Sequence, residues 1–445
     1  MKKKLLAGIL SLAMVASLTA CGTKNDAVSS KTSTSAKSST ASVASTKSSA
    51  SNMSASASQT AGSDFDKLVE AAKGTEVSFY GWGGDDKLNA WLDDYYAKRL
   101  KEKYDITLKR VPMDIDKILS QLSGELQAGK KDGDIDMIWI NGENFKTTKE
   151  NNMLFGPFAE TLPNFEAYIN KDDKETYNDF AFPIEGYEAP YGKAQLVFFN
   201  DSKITPETPK NTDELLEFAK KYKGKVTYAA LPDFTASAFV RNVIYDIVGY
   251  EQFADMKADK ATVKAAIEPA LEYLRKLNPY LWQEGKTFPA DNPAVTKMFA
   301  DGELVMGMSY SAFGVATNIE NGTFTDTTRT FQFDKGTIGN TNYIAIAGNS
   351  GNVAAANSGN SAGAQVAINE MMDPEVQADR YKTLRTIPVV QYDKLNDEQK
   401  KAFDSVDIGK GVLSQEELLS KRLPEMPAGL VPIIEEIWNE EVVGK

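Results

Sequence analysis

From residue 76 onward the chain alternates between short apolar runs and longer amphipathic stretches, and this alternation limits the possible folds more than any other feature. Residues 76–80, 106–111 and 135–140 are short and apolar, as strands are. Residues 85–103 and 114–128, which separate them, carry apolar side chains at helical spacing. The order strand, helix, strand, helix, strand predicts a doubly wound α/β unit, with helices on both faces of a sheet.

The alternation restarts further along the chain and predicts a second α/β unit. We expect strands at 194–199, 225–229, 303–308 and 342–347, and helices at about 213–223, 235–248, 261–277, 292–300 and 360–371. Thr212 is expected to cap the first of these helices. Residues 349–360 are rich in Asn, Ser, Gly and Ala, which leaves the start of the last helix open. From residue 374 the chain is predicted to be mostly helical.

The first 63 residues differ in composition from the rest and are predicted to lie outside the fold. Lysines at positions 2–4 precede an apolar stretch, 5–18, that is too short to span a bilayer. It ends in Leu18-Thr19-Ala20-Cys21, which resembles the lipobox of bacterial lipoproteins. The resemblance implies a signal peptide at 1–20 and a lipid attached to Cys21. An ordinary secretory signal with an incidental cysteine is the alternative.

Residues 21–63 are predicted to be the lipidated Cys21 and a disordered tether. Ser, Thr and Ala occupy 29 of the 42 positions from 22 to 63. Such a segment cannot bury enough apolar surface to offset the entropy lost on ordering. We therefore expect it to hold the folded part away from a membrane surface without fixing its orientation.

Composition excludes several classes of function. The chain has no histidine and a single cysteine, Cys21, so neither a Ser-His-Asp triad nor an imidazole metal site can form. The net charge of −12 argues against binding to nucleic acid. No P-loop or dinucleotide fingerprint occurs, and residues 404–416 lack the ligand set of a calcium loop. We predict no metal, no cofactor and no enzymatic activity.

Several stretches, taken in order, resemble the extracellular solute-binding proteins of ABC importers. The resemblance covers about 75–390 and is carried by residues 198–222, 298–310 and 342–379, with 134–145, 188–195 and 231–239 similar to the narrower YnjB-like subgroup. It implies a two-lobed, periplasmic-binding-protein-like α/β fold whose lobes are joined by hinge crossovers and close on a ligand. The predicted lobes are 64–197 plus 340–372, and 198–339 plus 373–445.

Candidate ligand-binding residues follow from the rule that ligands bind beyond the carboxyl ends of strands in open α/β sheets. They are Trp82, Gly83, Gly84, Asn141, Glu143, Asn144, Tyr191, Gln195, Asp233, Phe234, Thr235, Ser237, Ser309, Tyr310 and Asn342. Each also has a purely structural interpretation, such as a tight turn, strand packing, or a helix cap at Thr235 or Ser237. Asp85 and Asp86 already supply negative charge to the positive end of their helix, which disfavours the binding of a phosphate there.

The charges in these segments predict the kind of ligand. The acidic residues are Asp85, Asp86, Glu143, Glu188 and Asp233, against one cation, Lys193. An anionic ligand would be repelled, whereas aromatic rings stabilise a desolvated cation. We expect a cationic or neutral, ring-containing solute, with a sugar as the close alternative. If several of these carboxylates cap helices or face water, the cleft is near neutral.

The sequence therefore predicts a monomeric, lipid-anchored receptor on the outer face of the cell membrane. It would capture a small solute by lobe closure and deliver it to an ABC permease and its ATPase. Two other functions stay open. One is a secreted glycoside hydrolase that uses the Glu143 and Asp233 carboxyl groups. The other is a sensory lipoprotein that keeps the fold but pairs with a receptor, because fold does not fix function.

Overall fold

The structure, a computed structural model, describes residues 64–351 and 360–445. The predicted signal peptide, Cys21 and the tether lie outside the described residues. Among the helices of the described part, none combines the length and the apolar character that crossing a membrane requires. The first described element is helix α1, residues 64–72.

The described strands fall into one large sheet, one small sheet and a hairpin. They are β1 (Glu76–Gly81), β2 (Thr107–Pro112), β3 (Met137–Ile140), β4 (Leu154–Phe155), β5 (Asn178–Asp179), β6 (Phe182–Pro183), β7 (Glu188–Gln195), β8 (Val197–Asp201), β9 (Met306–Ser309), β10 (Thr328–Phe331), β11 (Thr337–Ala347) and β12 (Arg422–Leu423). The large sheet has the order β12-β11-β3-β1-β2, with β4 and β7 also paired to β11. The small sheet has the order β10-β8-β9, and β5 pairs with β6.

The helices cover the sheets and form the tail. They are α2 (Asp86–Ala90), α3 (Ala97–Tyr104), α4 (Ile115–Gln127), α5 (Gly142–Glu150), α6 (Pro163–Tyr168), α7 (Thr212–Lys221), α8 (Phe234–Val248), α9 (Lys260–Leu277), α10 (Asn292–Ala300), α11 (Gly314–Glu320), α12 (Asn360–Met371), α13 (Pro374–Leu384), α14 (Asp397–Asp404), α15 (Gln415–Ser420) and α16 (Val431–Glu441). A π-helical turn, Trp91–Tyr96, joins α2 to α3. The predicted helices from residue 85 to the tail are thus confirmed to within a few residues.

Lobe 1 is built on the large sheet, whose two faces bury separate apolar clusters. In β1, Val77 and Phe79 point into one cluster and Tyr80 into the other, as the two-residue period of a strand requires. β1 pairs in parallel with β2 and with β3. The predicted doubly wound order of lobe 1 is confirmed, and parallel pairing inside the sheet explains why the central strand β3 is apolar on both faces, whereas the edge strand β2 is partly exposed.

Lobe 2 surrounds the small sheet. Phe198 and Phe199 of β8 are fully buried among the side chains of helices α7 to α10. Trp438, on the last helix, belongs to the same cluster and donates from Nε1 to the Tyr228 hydroxyl at 3.1 Å. The C-terminal tail therefore returns to complete the core of lobe 2.

Two neighbouring strands connect the lobes. β7 runs almost directly into β8, and β11 pairs antiparallel with β7 from Gly339 opposite Gln195 to Ala345 opposite Glu188. Ile338, near the start of β11, packs in the lobe 2 core, whereas Ile344 packs in lobe 1. These strands have the geometry of hinge crossovers. The lobe boundaries at 197/198, 339/340 and 372/373 stay predictions.

Several local predictions were wrong. Residues 225–229 form no strand, although the carbonyl oxygens of Lys225 and Val226 accept hydrogen bonds from Val305 and Trp282. The strand predicted at 194–199 is two strands, because the chain passes from one sheet to the other at Leu196. The strand predicted at 303–308 is β9, which begins three residues later, at Met306.

The predicted helix caps were also displaced by one or two residues. Asn211, not Thr212, caps α7, and its side chain accepts from the Glu214 amide at 2.9 Å. Asp233, rather than Thr235 or Ser237, caps α8 by accepting from the Ala236 amide at 2.9 Å. In both helices the carboxylate or amide residue takes the cap in preference to a hydroxyl, which agrees with the usual ranking.

Candidate functional site

Residues of both lobes meet in a cleft, and the side contributed by lobe 2 is centred on Arg241 of α8. Arg241 is 1% exposed and donates from Nη2 to Glu425 Oε2 at 3.1 Å. Its Nη1 donates to Ser237 Oγ at 2.5 Å, and Ser237 Oγ donates to Glu435 Oε1 at 2.6 Å. The Tyr310 hydroxyl donates to Glu425 Oε1 at 2.5 Å. We call these five residues the lobe 2 wall; each is tied to another by a hydrogen bond.

Burial and charge oppose each other in the lobe 2 wall. Burial lowers the pKa of Arg241, but Glu425 and the other acidic groups around it together outweigh burial, so the pKa is raised and the guanidinium stays charged. Burial and Glu425 raise the pKa of the Tyr310 hydroxyl well above its ordinary value. Burial also raises the pKa of Glu435, against the hydrogen bond from Ser237. The wall therefore carries its own counter-charge.

The side contributed by lobe 1 starts at the N-terminus of α5. Gly142 has φ of +60°, and its amide donates to Asp179 Oδ2. Glu143 follows, and its pKa is raised by burial and lowered by Arg241. Arg241 of the lobe 2 wall therefore acts on the Glu143 carboxyl group electrostatically. The Asn144 amide lies 3.5 Å from Glu143 Oε1, at the limit of a hydrogen bond.

Two carboxyl groups are buried behind Glu143. Asp179 is 1% exposed, and Glu188, the first residue of β7, is fully buried, with neither oxygen hydrogen-bonded to any residue that the structure describes. Burial raises the pKa of each well above its ordinary value, and the charge of Asp179 raises the pKa of Glu188 further. The backbone amide of Gly142 is the one hydrogen-bond donor to Asp179 within the described residues. We call Glu143, Asp179 and Glu188 the lobe 1 wall.

The β5–β6 hairpin carries a ring from lobe 1 to the lobe 2 wall. Its turn residues, Phe180 and Ala181, have φ of +45° and +59°. The Phe180 carbonyl accepts from the Ala428 amide at 2.9 Å, and the Phe180 ring is buried with Ala428 and Val431. The guanidinium carbon of Arg241 lies 5.9 Å from the centre of that ring. Lobe 2 groups thus hold this hairpin in place.

A cavity of about 260 Å³ lies beside the hairpin. Its lining includes Asp179 and Phe180 of the hairpin, Asn340 and Tyr343 of β11, and Glu425 of the lobe 2 wall. Asn340 is 3% exposed, and within residues 64–351 and 360–445 neither its amide nitrogen nor its oxygen has a hydrogen-bond partner. The cavity therefore combines aromatic rings, carboxyl groups and an unpaired buried amide.

Other predicted residues lie at the strands between the lobes. Gln195 is fully buried and donates to the Leu418 carbonyl at 2.9 Å. Tyr191 is buried in the core of lobe 1, with the Arg380 guanidinium carbon 4.5 Å from its ring centre. Asn342 is half-buried at the bulge where β11 pairs with β7. These positions connect the lobes and do not line the cavity.

The remaining predicted residues form the turn after β1 and the entry to α8. Trp82 is 52% exposed, and a Cβ placed on Gly84 would lie 2.2 Å from its ring, so only glycine fits beneath it. A Cβ on Gly83 would likewise collide with Pro112.

Phe234 is 42% exposed and meets Tyr310 edge to face at 5.0 Å. Asn141, Thr235 and Ser309 are half-buried or buried near these groups, and Asp233 is a cap.

The sequence reasoning missed the groups that organise both walls. Arg241 stands alone as a cation within the apolar helix α8, which is a signal that it is paired inside the fold. Glu425 and Glu435 come from the tail, and nothing local marks them. Asp179 is hidden in a short hairpin whose Phe-Ala turn lacks the usual glycine or asparagine.

Comparison with known proteins gives one consistent result. Residues 95–402 match the family described as bacterial extracellular solute-binding protein. Protein YnjB of Escherichia coli (strain K12) is 35% identical over 320 residues, which are 72% of this chain and 80% of that protein.

Solved structures agree on the fold. The crystal structure of an ABC transporter protein from Clostridium perfringens ATCC 13124 superposes with a TM-score of 0.58 at 18% identity, over 82% of this chain and 98% of that chain. The periplasmic binding protein AfuA of Actinobacillus pleuropneumoniae, with fructose-6-phosphate bound, gives 0.54 at 13% identity, over 83% and 99%. The predicted two-lobed α/β fold is thereby confirmed. The chain belongs to the bacterial extracellular solute-binding family, whose members are binding components of ABC transporters.

Proposed function

We propose that this chain captures a small cationic or neutral, ring-containing solute between its two lobes and delivers it to an ABC permease. The observation that carries the proposal is the cavity lined by residues of both walls, Asp179 of lobe 1 and Glu425 of lobe 2. A solute held between these walls would contact both lobes at once. Its binding energy would then favour the closed arrangement over the open one.

The charge of the cleft supports a cationic or neutral solute. Around the two walls and the cavity are carboxyl groups at Glu143, Asp173, Glu175, Asp179, Glu188, Glu425 and Glu435, against cations at Lys174, Lys193, Arg241 and Arg422. Three of these cations are already paired: Lys193 with Asp173, Arg241 with Glu425, and Arg422 with Glu175. Lys174, which is exposed at the cavity rim, is the one cation left to a multiply charged anion among these four, and it stands against the seven carboxyl groups. Such an anion would also meet like charge in a partly dry site.

Exposed rings support the ring-containing part of the proposal. Phe234 and Trp82 are the large exposed aromatic residues nearest to the predicted ligand loops. Each can stack on a planar solute or contact a desolvated cation, for about 0.5–2 kcal/mol. A hydroxylated sugar ring suits the same surface and is the second solute class to test.

Lobe closure is tested by scattering. A thermal-shift screen of metabolites identifies a solute, because a ligand that binds the folded state raises its stability. Small-angle X-ray scattering then compares the radius of gyration with and without that solute. We expect a decrease at saturation. An unchanged radius with saturating binding would contradict closure.

We also propose that Cys21 anchors the protein to the outer face of the membrane. The support is its lipobox-like context and the extracellular character of the family. Cys21→Ser should release the protein into the medium, whereas wild type should incorporate a fatty-acid label. Equal retention of both forms in the membrane fraction would overturn the anchor without affecting solute capture.

A further inference from the structure

We propose that the 260 Å³ cavity binds a protonated nitrogen group of the solute, with Asp179 as its counter-charge, and that binding releases a proton from Asp179. This inference rests on the proposed capture of a solute between the lobes. It specifies which chemical group of the solute enters the cavity and which residue receives it.

Three carboxyl groups line the cavity, and Asp179 is the one that is not paired with a cation among the described residues. Glu425 lies 3.1 Å from the guanidinium of Arg241, and Glu175 lies 2.9 Å from that of Arg422. Asp179 accepts one hydrogen bond, from the Gly142 amide, and has no ion pair in the described part of the chain. A buried carboxylate without a counter-charge is costly, so a cation entering the cavity stabilises it.

Asn340 gives independent support for a ligand in this cavity. The side chain is 3% exposed, lines the cavity, and has no hydrogen-bond partner for either amide atom among the described residues. Leaving a buried donor or acceptor unpaired is unfavourable. A solute that carries an N–H donor beside an acceptor would satisfy both Asn340 and Asp179.

The size and lining of the cavity fit one end of a small solute. Its 260 Å³ equals roughly eight water volumes at about 30 Å³ each. The rings of Phe180 and Tyr343 form part of the wall and favour a cation over an uncharged polar group. No three or more His, Cys, Asp or Glu residues of the described part are arranged to hold a metal ion, so an organic cation fits better than a metal.

Proton release follows from the groups that face Asp179. They are Glu143 on α5, Glu175 on the turn before β5, Glu188 on β7, Tyr343 on β11 and Glu425 beyond β12, with the exposed Lys174 at the cavity rim. Burial raises the pKa of Asp179 well above its ordinary value, and the carboxylates raise it further. Without a bound cation, burial and the neighbouring carboxylates therefore favour the protonated form of Asp179. A bound cation favours the ionised form, so the proton leaves to the buffer and the ion pair replaces it.

Matched probes test the charge of the group that binds. Benzylammonium, benzyl alcohol and benzoate share one ring and differ in charge. Isothermal titration calorimetry of the full chain, in two buffers of different ionisation enthalpy, measures affinity and the number of protons released. We expect benzylammonium to bind best, with release of up to one proton. Its affinity should rise by up to about tenfold per pH unit below the pKa of the free site.

Two substitutions locate the proton. Asp179→Asn keeps an acceptor for the Gly142 amide but should abolish both proton release and the pH dependence of binding. Asp136→Asn is the matched control, because Asp136 is equally buried, accepts from the Ser78 amide at 2.8 Å, and does not line the cavity. Burial raises the pKa of Asp136 as well, so a nonspecific effect of buried carboxyl groups would appear in both variants.

The outcomes separate this inference from the proposed function. Benzylammonium binding no tighter than benzyl alcohol at any pH from about 5 to about 9, or proton release that persists in Asp179→Asn, overturns the inference. Benzoate binding more tightly than benzylammonium also overturns the inference, and Lys174 is then the residue expected to bind the anion. A metabolite that shrinks the radius of gyration under any of these results leaves solute capture intact. If no solute in the screen closes the lobes, the result contradicts the proposed function itself.

Discussion

The lobe 2 wall carries Arg241 among its carboxylates, whereas the lobe 1 wall buries Asp179 and Glu188 with no cation in contact within the described residues. Both walls are acidic, yet Arg241 offsets negative charge in the lobe 2 wall, whereas in the lobe 1 wall burial favours the protonated forms of Asp179 and Glu188. The Arg241 guanidinium keeps its charge over a wide pH range. The lobe 1 wall changes its charge when a proton or a cation arrives, so we expect it to be the side that responds to a solute.

The largest expected effect comes from removing the internal cation of the lobe 2 wall. Arg241→Met leaves Glu425 buried without its counter-charge and should lower the free energy of unfolding by about 3–5 kcal/mol. Urea denaturation of the purified chain measures this. The control is Arg275→Met, because Arg275 pairs with Glu268 at a partly exposed site, where the loss should stay below about 1 kcal/mol. Equal losses for Arg241→Met and Arg275→Met would show that the buried pair of the lobe 2 wall contributes no more to stability than a partly exposed pair.

The lobe 1 wall should show the opposite response. Its raised carboxyl pKa values mean that the folded state keeps protons that the unfolded state has already released. Wild-type stability must therefore fall as the pH rises from the ordinary carboxyl range toward the raised pKa. Glu188→Gln removes one such group and should be more stable than wild type by about 1–3 kcal/mol near pH 8.

Urea denaturation at several pH values checks this second prediction. Glu185→Gln is the matched control, because Glu185 is an exposed carboxylate on the same segment. Its unfolding curves should follow those of wild type at every pH. If Glu188→Gln also follows wild type, the buried pair is not protonated in the folded state.

A smaller effect is expected at the glycine that begins the lobe 1 wall. Gly142 has φ of +60°, and an added Cβ would lie 3.3 Å from the Phe180 ring. Gly142→Ala should therefore cost about 1–2 kcal/mol of unfolding free energy. Gly124, inside α4, has open space around it, so Gly124→Ala should stabilise by up to about 1 kcal/mol. The same sign for both substitutions would show that the backbone at Gly142 is unstrained.

The smallest effects on stability are expected at the exposed rings, one for each lobe. Trp82→Ala and Phe234→Ala should each change the unfolding free energy by less than about 1 kcal/mol, because these rings remain largely exposed. Both should weaken binding of a ring-containing solute in calorimetry. Loss of affinity in only one variant would assign the ring of the solute to that lobe.

Local patterns were sufficient to predict most of the framework. The apolar runs of β1, β2 and β3 and the helical spacing of α4 and α9 are short-range signals, and the structure has these elements near the predicted bounds. The pairing of β7 with β11 is set by tertiary contacts between distant segments. Residues 225–229 show the converse, because an apolar run with strand character pairs with no other strand.

The candidate site was predictable only where it follows a strand. Glu143 and Phe234 were found because they follow apolar runs, and Tyr310 because it follows β9. Glu425 reaches Arg241 across 184 positions of sequence, and Arg422 reaches Glu175 across 247. Pairs of this kind form only when the tail folds back, so no local pattern of charge or hydropathy marks them.

The β5–β6 hairpin has a consequence for how long a solute stays bound. A two-residue turn with both φ values positive favours Asn-Gly, and left-handed backbone costs other residues roughly 1–2 kcal/mol each. In this protein Phe180 and Ala181 occupy the two turn positions. Two groups of lobe 2 hold the turn in place: the Ala428 amide, which donates to the Phe180 carbonyl, and Arg241, which lies against the Phe180 ring. Under the lobe closure proposed above, separation of the lobes would remove these contacts and let the turn relax, which would favour release of the solute. The hairpin would then shorten the residence time of the solute.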